Sequence, residues 1–357
     1  MTAYPRSSAA FLNPASMFAD DGREYPACAL CEERRTRLLV IRKGFHVVRC
    51  ETCSLVYVSP RPKRQREIDA LYTNRKYSTR QVSHAVSTSR MREAHWRLAR
   101  VEEHAPARGR LLDVGCSAGS FLLAARERGW HVRGIDISPG AVEHASTAHG
   151  LDVRVATLED AAFSPAAFDV ITLFECIEHM LHPSRALTSA HRLLRDGGLL
   201  VITTPNVDGF VPRVTYQLLG RTIGAWEHPT PPHHLYQFSR RTLDALLQKA
   251  GFSVVSCRTR PMGLTFTVKQ LQSAIIDALA RRMPSSLKSS RASHESGIAP
   301  RDTLSRPQSL SRQLSALARK TARTAIAGIC WTLGLALYAL PLHHAGAGDS
   351  MIVVARK

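Results

Sequence analysis

The chain has 357 residues, 44% of them hydrophobic and 22% charged, a globular balance that excludes a wholly disordered chain and leaves room for two units or for one with appendages. Lys and Arg number 48 against 29 Asp and Glu, and the resulting charge of +19 attracts nucleic acid, acidic lipid or phosphorylated substrates without choosing among them. The basic residues are spread along the chain rather than gathered in one arm, so a solvated surface accounts for them as well as a binding face does.

Residues 1–24 read as a flexible N-terminus. They lack a charged start followed by an uninterrupted apolar run, so no secretory signal is expected and a cytoplasmic, reducing setting follows. Cysteines there need another explanation than disulfides. Cys28, Cys31, Cys50 and Cys53 follow C-x2-C-x18-C-x2-C, in which each short turn aims two thiolates at one point and two turns complete a closed tetrahedron. Residues 25–62 are therefore expected to form a small ribbon around structural Zn2+. Rubredoxin-type iron suits the same thiolates, and a redox pair suits either half. Cys116, Cys176, Cys257 and Cys330 stand alone in apolar contexts and read as core.

From 63 to 109, "REIDALYTNRKY" and "SRMREAHWRLARVEEH" carry apolar residues at helical spacing, giving a helical connection. After Arg110, strands and helices alternate: "RLLDVGC", "SFLLAARERGW", "HVRGIDIS", "PGAVEHASTAHG", "DVRVAT", "FDVITLFE", "PSRALTSAHRLLRDGG", "LLVITTPN", "SRRTLDALLQKAG" and "FSVVSCRTR". This alternation predicts an α/β fold with a doubly wound, mostly parallel sheet over residues 110–262, and ligands at the carboxyl ends of its strands.

The turn "LLDVGCSAGSF", Leu111 to Phe121, is placed to hold that ligand. Gly115 and Gly119 let backbone pass close to it, but Asp113 beside the turn is a poor neighbour for a pyrophosphate and a good one for an ammonium group. Asp136 ends the second strand, where a carboxylate can accept both hydrogen bonds of a ribose diol. An adenosine with a cationic amino-acid tail satisfies these placements.

Residues 263–322 read as a helix and a disordered basic insertion, and 323–357 as a hydrophobic helix followed by the last strand, "DSMIVVARK". Thr324 to Leu342 contains nineteen residues without a charge, just long enough to cross a bilayer. Three readings stay open: packing on the core or in a dimer, peripheral membrane contact through 324–342, and a span, which would put the final strand on the wrong side.

From Arg110 to Arg258 the chain resembles the class I S-adenosylmethionine (SAM) dependent methyltransferases. The resemblance lies in "LLDVGCSAGSF", "GIDIS", "TLED", "FDVITLFECIEHM" and "LLRDGGLLVITTPN", in that order. It implies a seven-stranded Rossmann-like sheet with an antiparallel last strand, and SAM as cofactor. It also implies that Gly115, Ser117 and Gly119 border the methionine part and that Asp113 lies near its ammonium. Asp136 would take the ribose, and Thr157, Leu158 and Glu159 would meet the adenine. Ser117 stands where the family has a middle glycine.

Two clusters are candidates for chemistry. In "ECIEHMLHP", Glu175, Glu178 and His179 fall where donor and acceptor should meet; the polyprenyl-dihydroxybenzoate O-methyltransferases of ubiquinone synthesis are similar there, with a Glu-x-x-Glu-His run implicated in Mg2+ binding. The competing reading has His179 merely capping and packing its helix. In "WEHPTPPHHLYQFS", Trp226, His228, His233, His234 and Tyr236 suit a pocket that orients an acceptor and removes its proton, or else a loop in which Ser239 caps the next helix. The expected function is methyl transfer to an oxygen or nitrogen, with carbon left open, of a small-molecule, glycan or lipid-linked acceptor. The alternative is an RNA methyltransferase that uses ribbon and charge to bind nucleic acid. Against it, aromatics do not interleave the ribbon and the fourth strand lacks an Asn-Pro-Pro-Tyr type ending.

Overall fold

The computed structural model describes residues 23–63, 65–73, 82, 86–282, 324–336 and 347–357. The tail 1–22, most of the expected insertion (283–323) and the end of the apolar segment (337–346) lie outside the described residues.

The ribbon starts at Arg23 rather than 25. Its strands are β1 (Arg23–Glu24), β2 (Thr36–Arg42), β3 (Phe45–Cys50), β4 (Val56–Val58) and β5 (Arg61–Pro62). β2, β3 and β4 pair antiparallel in sequence, and β1 pairs with β5. The helical connection holds α1 (Gln65–Thr73) and α2 (Thr88–Glu102).

The alternation then runs β6 (Arg110–Val114), α3 (Ser120–Glu127), β7 (His131–Asp136), α4 (Pro139–His149), β8 (Val153–Val155), β9 (Phe168–Phe174), α5 (Pro183–Leu193) and β10 (Leu194–Pro205). A helical excursion opens with α6 (Phe210–Thr215), loosens into a π-turn over Tyr216–Gly220 and closes over Arg221–Ile223. After it come β11 (Tyr236–Gln237), α7 (Arg240–Lys249), β12 (Ser253–Arg260), α8 (Leu264–Arg282), a helix α9 over 324–336 and β13 (Ser350–Arg356). Ser239 caps α7: its hydroxyl accepts from the Thr242 N–H at 3.2 Å.

Seven strands form one sheet in the order β12-β13-β10-β9-β6-β7-β8. β13 is inserted antiparallel between β10 and β12, and the other pairs are parallel. The period-2 pattern divides the buried side chains between two faces. Leu111, Val170, Val201 and Val354 pack under α2 and α3 with Leu98, Leu122 and Ala125. Leu112, Ile171, Leu200 and Val353 pack under α5 and α7 with Leu187, Leu193, Leu243 and Leu247.

The ribbon is not a separate bead. Cys28, Cys50, Leu55, Tyr57 and Val58 belong to that second core cluster. β11, from the histidine-rich segment, pairs antiparallel with β4, Tyr236 opposite Tyr57 and Gln237 opposite Val56. The Val58 N–H donates to the Leu235 carbonyl at 2.9 Å, and the Leu235 N–H to the Glu178 carbonyl at 2.8 Å. Ser184 Oγ adds a bond to the Ala29 carbonyl at 3.0 Å.

Among the described residues no helix is long and apolar enough to cross a membrane. α9 packs on α8 through Cys330 against Val268 and Leu271, leaving Ile329, Trp331 and Leu335 exposed.

Candidate functional site

Two adjoining cavities open at the carboxyl ends of β6, β7 and β9. The first, about 250 Å3, is lined by Ile68 and Tyr72 of α1, Gly115, Asp136, Ile137, Ala156 to Asp160, Cys176, and His179 to Arg185 without Pro183 and Ser184. The second, about 450 Å3, adds Arg90 and Arg97 of α2, Asp113, Ser117, Phe174 and Glu175. Gly115, Asp136, Cys176, His179 and Tyr72 belong to both, so they make one cleft.

The turn is tight because two amides, Gly115 N–H and Cys116 N–H, donate to the Ile135 carbonyl at 2.8 and 3.1 Å. Gly119, at φ 86, caps α3 and lines neither cavity; a Cβ there would come within 2.4 Å of Leu151, so its role is to let the chain turn. Ser117 adopts φ 51, the conformation that favours glycine, and its N–H donates to Asp136 Oδ2 at 2.8 Å. Ser138 N–H donates to Oδ1 at the same distance, so the Asp136 carboxylate is fixed facing the cleft with acceptor capacity left on each oxygen. Asp113 is buried and accepts from Thr172 Oγ1 at 2.6 Å; burial pushes it up to about 7, the hydroxyl bond opposing.

Residues 84–257 match the family model described as a methyltransferase domain. The chain is 34% identical over 175 residues to the ubiquinone biosynthesis O-methyltransferase of Pseudomonas aeruginosa, covering 46% of this chain and 72% of that protein. The protein of the same name from Xylella fastidiosa is 36% identical over 118 residues, 31% of this chain and 48% of its own length. A SAM-dependent methyltransferase structure from Archaeoglobus fulgidus aligns at 17% identity with TM-score 0.43, covering 75% of this chain and 94% of that one. The chain belongs to the SAM-dependent methyltransferases. It spans about half the length of the Xylella fastidiosa relative.

The cleft of this methyltransferase fits SAM. Asp136 presents a fixed carboxylate to a ribose diol, Ala156 to Asp160 wall the first cavity beside it, and Asp113 gives the second an acid matched to an ammonium group. Arg97, stacked on Phe174 at 4.9 Å and paired with Glu93 at 2.9 Å, brings a guanidinium suited to a carboxylate. Arg90, Arg97 and Tyr72 were not legible beforehand, since nothing in a helical connection marks which face will cover a cleft. Cys176, expected in the core, also lines the cleft.

A third cavity, about 200 Å3, lies across Glu175, the residue it shares with the second. Glu227, His228, His234, Asp349 and Phe266 are among its walls. Burial pushes Glu227 up to about 7 and His228 down to about 3, and holds His234 well below its usual range. Glu175 has φ 51, a strained backbone at the junction of the two cavities.

His179 Nδ1 lies 2.8 Å from both the His233 carbonyl and the Tyr72 hydroxyl, and that hydroxyl itself donates to the same carbonyl at 3.2 Å. The network therefore assigns the proton to Nδ1 and leaves Nε2 bare. Burial lowers His179 to about 4. Glu178 is fully buried, accepts from Thr204 Oγ1 at 2.9 Å, and is raised well above the usual carboxylate range by burial and by Glu175. The His233 ring is exposed, edge-on to Tyr72, and lines none of the three cavities.

The expected Mg2+ trio of Glu175, Glu178 and His179 is not what converges. Ligand atoms of Glu178, His179 and His234 lie within 4.8 Å of one another, while Glu175 is outside that group. Two imidazoles and one carboxylate do not fit Mg2+, which takes oxygen ligands.

The four cysteines do converge, with Cys28 to Cys53 and Cys31 to Cys50 sulfurs at 3.4 Å and all four within 4.8 Å. Sulfurs about 2.3 Å from one ion at tetrahedral angles lie about 3.8 Å apart, so the set fits zinc. Burial pushes the Cys28 thiol up to about 11 even though backbone N–H groups of Cys31 and Leu30 point at its sulfur and oppose the rise.

Two predictions follow from this geometry. A bound cation favours ionised Asp113, so SAM binding expels a proton whenever the pH is below about 7. Calorimetry should show affinity falling by up to tenfold per pH unit below that point and levelling off near neutrality, and Asp113→Asn should flatten the profile. Stripping metal from the cysteines should lower the melting temperature by about 5 °C or more. It should also deprotect amides 235–238 in hydrogen exchange, with affinity for S-adenosylhomocysteine kept within threefold; unchanged protection would detach β11 from the ribbon's integrity.

Proposed function

We propose that the chain methylates an oxygen or nitrogen of a small-molecule, glycan or lipid-linked acceptor seated in the third cavity, with His234 as the proton acceptor and structural zinc in the ribbon. The observation that carries this reading is Glu175, which walls both the methionine side of the cofactor cleft and the third cavity. An acceptor in that cavity abuts the reactive end of the cofactor.

Bound SAM supplies a methyl group on cationic sulfur, which departs with the bonding electron pair as S-adenosylhomocysteine. The chain's own residues then have two tasks, positioning and proton removal. Asp136 and the Thr157 to Glu159 loop hold the adenosine, with Asp113 and Arg97 at the amino-acid end. His234, kept neutral by burial and with Nδ1 lacking a hydrogen-bond partner, is able to take the acceptor's proton at neutral pH. His179 is a second neutral imidazole on the cleft side, edge-on to His234 at 4.7 Å between ring centroids. The carbonyl of His233 orients His179, which gives His233 a positioning task through its backbone.

Phe266 lines the third cavity and is 47% exposed, and α9, which packs on the same helix α8, leaves Trp331 and Ile329 exposed. That apolar surround supports a lipid-linked acceptor and peripheral membrane contact through α9.

His234→Ala should leave SAM affinity within threefold by calorimetry while lowering turnover about 10²-fold or more. Equal loss of both would assign His234 to folding and remove it from the chemistry.

A further inference from the structure

The third cavity has walls of two kinds. Pro205, Val211, Pro212, Met262 and Phe266 give it an apolar side. Opposed to them are polar atoms with no hydrogen-bond partner: Glu227 Oε2, His228 Nε2 and His234 Nδ1. Glu227 and His228 are 4% and 8% exposed, so water does not satisfy them from the surface. A buried polar atom left unpaired costs about 1–3 kcal/mol, and a ligand that supplies the missing partner recovers it.

The chemistry of these atoms limits the ligand. Glu227 and Asp349 bring carboxylates, and among the described residues no Lys or Arg lines the cavity. Arg42, whose charge is felt at Glu227, is not among the lining residues; it donates to the Trp226 carbonyl and pairs with Asp277 at 3.6 Å. A phosphate or carboxylate on the buried end of the acceptor would meet acids without a counter-charge. Several hydroxyl groups at the edge of one ring, with an apolar ring face turned to Phe266 and the prolines, satisfy both walls.

Resting on the reading of this cavity as the acceptor site, we propose that the acceptor presents a sugar-like, polyhydroxylated ring, uncharged at its buried end, to Glu227, His228 and His234. A volume of about 200 Å3 suits a single ring. The same ring chemistry comes either free or on a lipid carrier, and the test separates the two.

Full-length protein is incubated with methyl-tritiated SAM and an extract of the source cells, then partitioned between water and chloroform–methanol. Acid hydrolysis of the labelled product should release tritium as a methylated monosaccharide or alditol; label in the organic phase identifies a lipid-linked ring, and label in water a free or polymeric one. With that acceptor, Glu227→Gln and His228→Leu should each raise KM at least tenfold, with S-adenosylhomocysteine affinity within threefold, and His228→Gln should restore most of the loss. If Glu227→Gln also loses the cofactor it has not folded, and the two His228 variants decide. Tritium in an aryl methyl ether, a methylated nucleoside or a methylated amino acid overturns the proposal while leaving methyl transfer intact. So does an unchanged KM in the folded variants. Protein that binds SAM yet labels nothing in any fraction overturns the methyl-transfer reading itself.

Discussion

The pairing of β11 with β4 is the constraint on which the histidine-rich side of the cleft depends. β11 is only two residues long, and a pair so short does not hold by itself in water. Here it is clamped from both sides: Leu235 bonds to Val58 of the ribbon and to Glu178 of the core, and the Tyr236 hydroxyl accepts from Arg61 at 2.5 Å. Because only Leu235 separates β11 from His233 and His234, the ribbon sets where those residues sit. A module that looks accessory in sequence is thereby part of the scaffold of the site.

That scaffold tolerates unfavourable local states. Ser117 and Glu175 hold left-handed backbone at about 1–3 kcal/mol each, and the unpaired atoms of Glu227, His228 and His234 add comparable costs. These positions lie at the cavities, although other residues such as Tyr57, Gln237 and Lys43 carry similar costs away from them. Rigid strands on either side, with Leu112, Ile171, Leu200 and Val353 fully buried, supply the packing that offsets them. The result is a set of imidazoles and carboxyls, all biased by burial toward their uncharged forms, held in place before any ligand arrives.

The parallel sheet and the glycine turn are legible in the sequence because they rest on local signals, apolar period, helix stops and residues needing positive φ, whereas the antiparallel insertion of the last strand comes only from the resemblance to the methyltransferases. Asp136 and the cysteine quartet were legible for the same reason, since spacing along the chain dictates their chemistry. The joining of β11 to the ribbon was not, because two residues carry no alternation and their partner is far away in sequence. Tyr72 and Arg97 escaped notice because helical periodicity tells which face is apolar, not which cleft it roofs. The Mg2+ expectation went astray on geometry: Glu178 turns inward to Thr204 and meets His179 and His234, leaving Glu175 at the junction of two cavities.

The charge of +19 invites a reading in terms of polyanions, and the placement of the arginines argues otherwise for the acceptor. Arg90 and Arg97 line the second cavity of the cofactor cleft, where a ligand carboxylate gives them work, and Arg185 lines the first. Others are engaged at the surface, such as Arg110 and Arg195 on Asp169, Arg108 and Arg128 on Glu102, and Arg258 on Glu103. The third cavity has carboxylates and imidazoles instead. Net charge governs solubility and encounter at long range, whereas acceptor choice is made by the few desolvated groups at short range, where an unmatched charge is most costly. If the third cavity holds the acceptor, as proposed, its acidic lining outweighs the basic excess of the whole chain in deciding what is methylated.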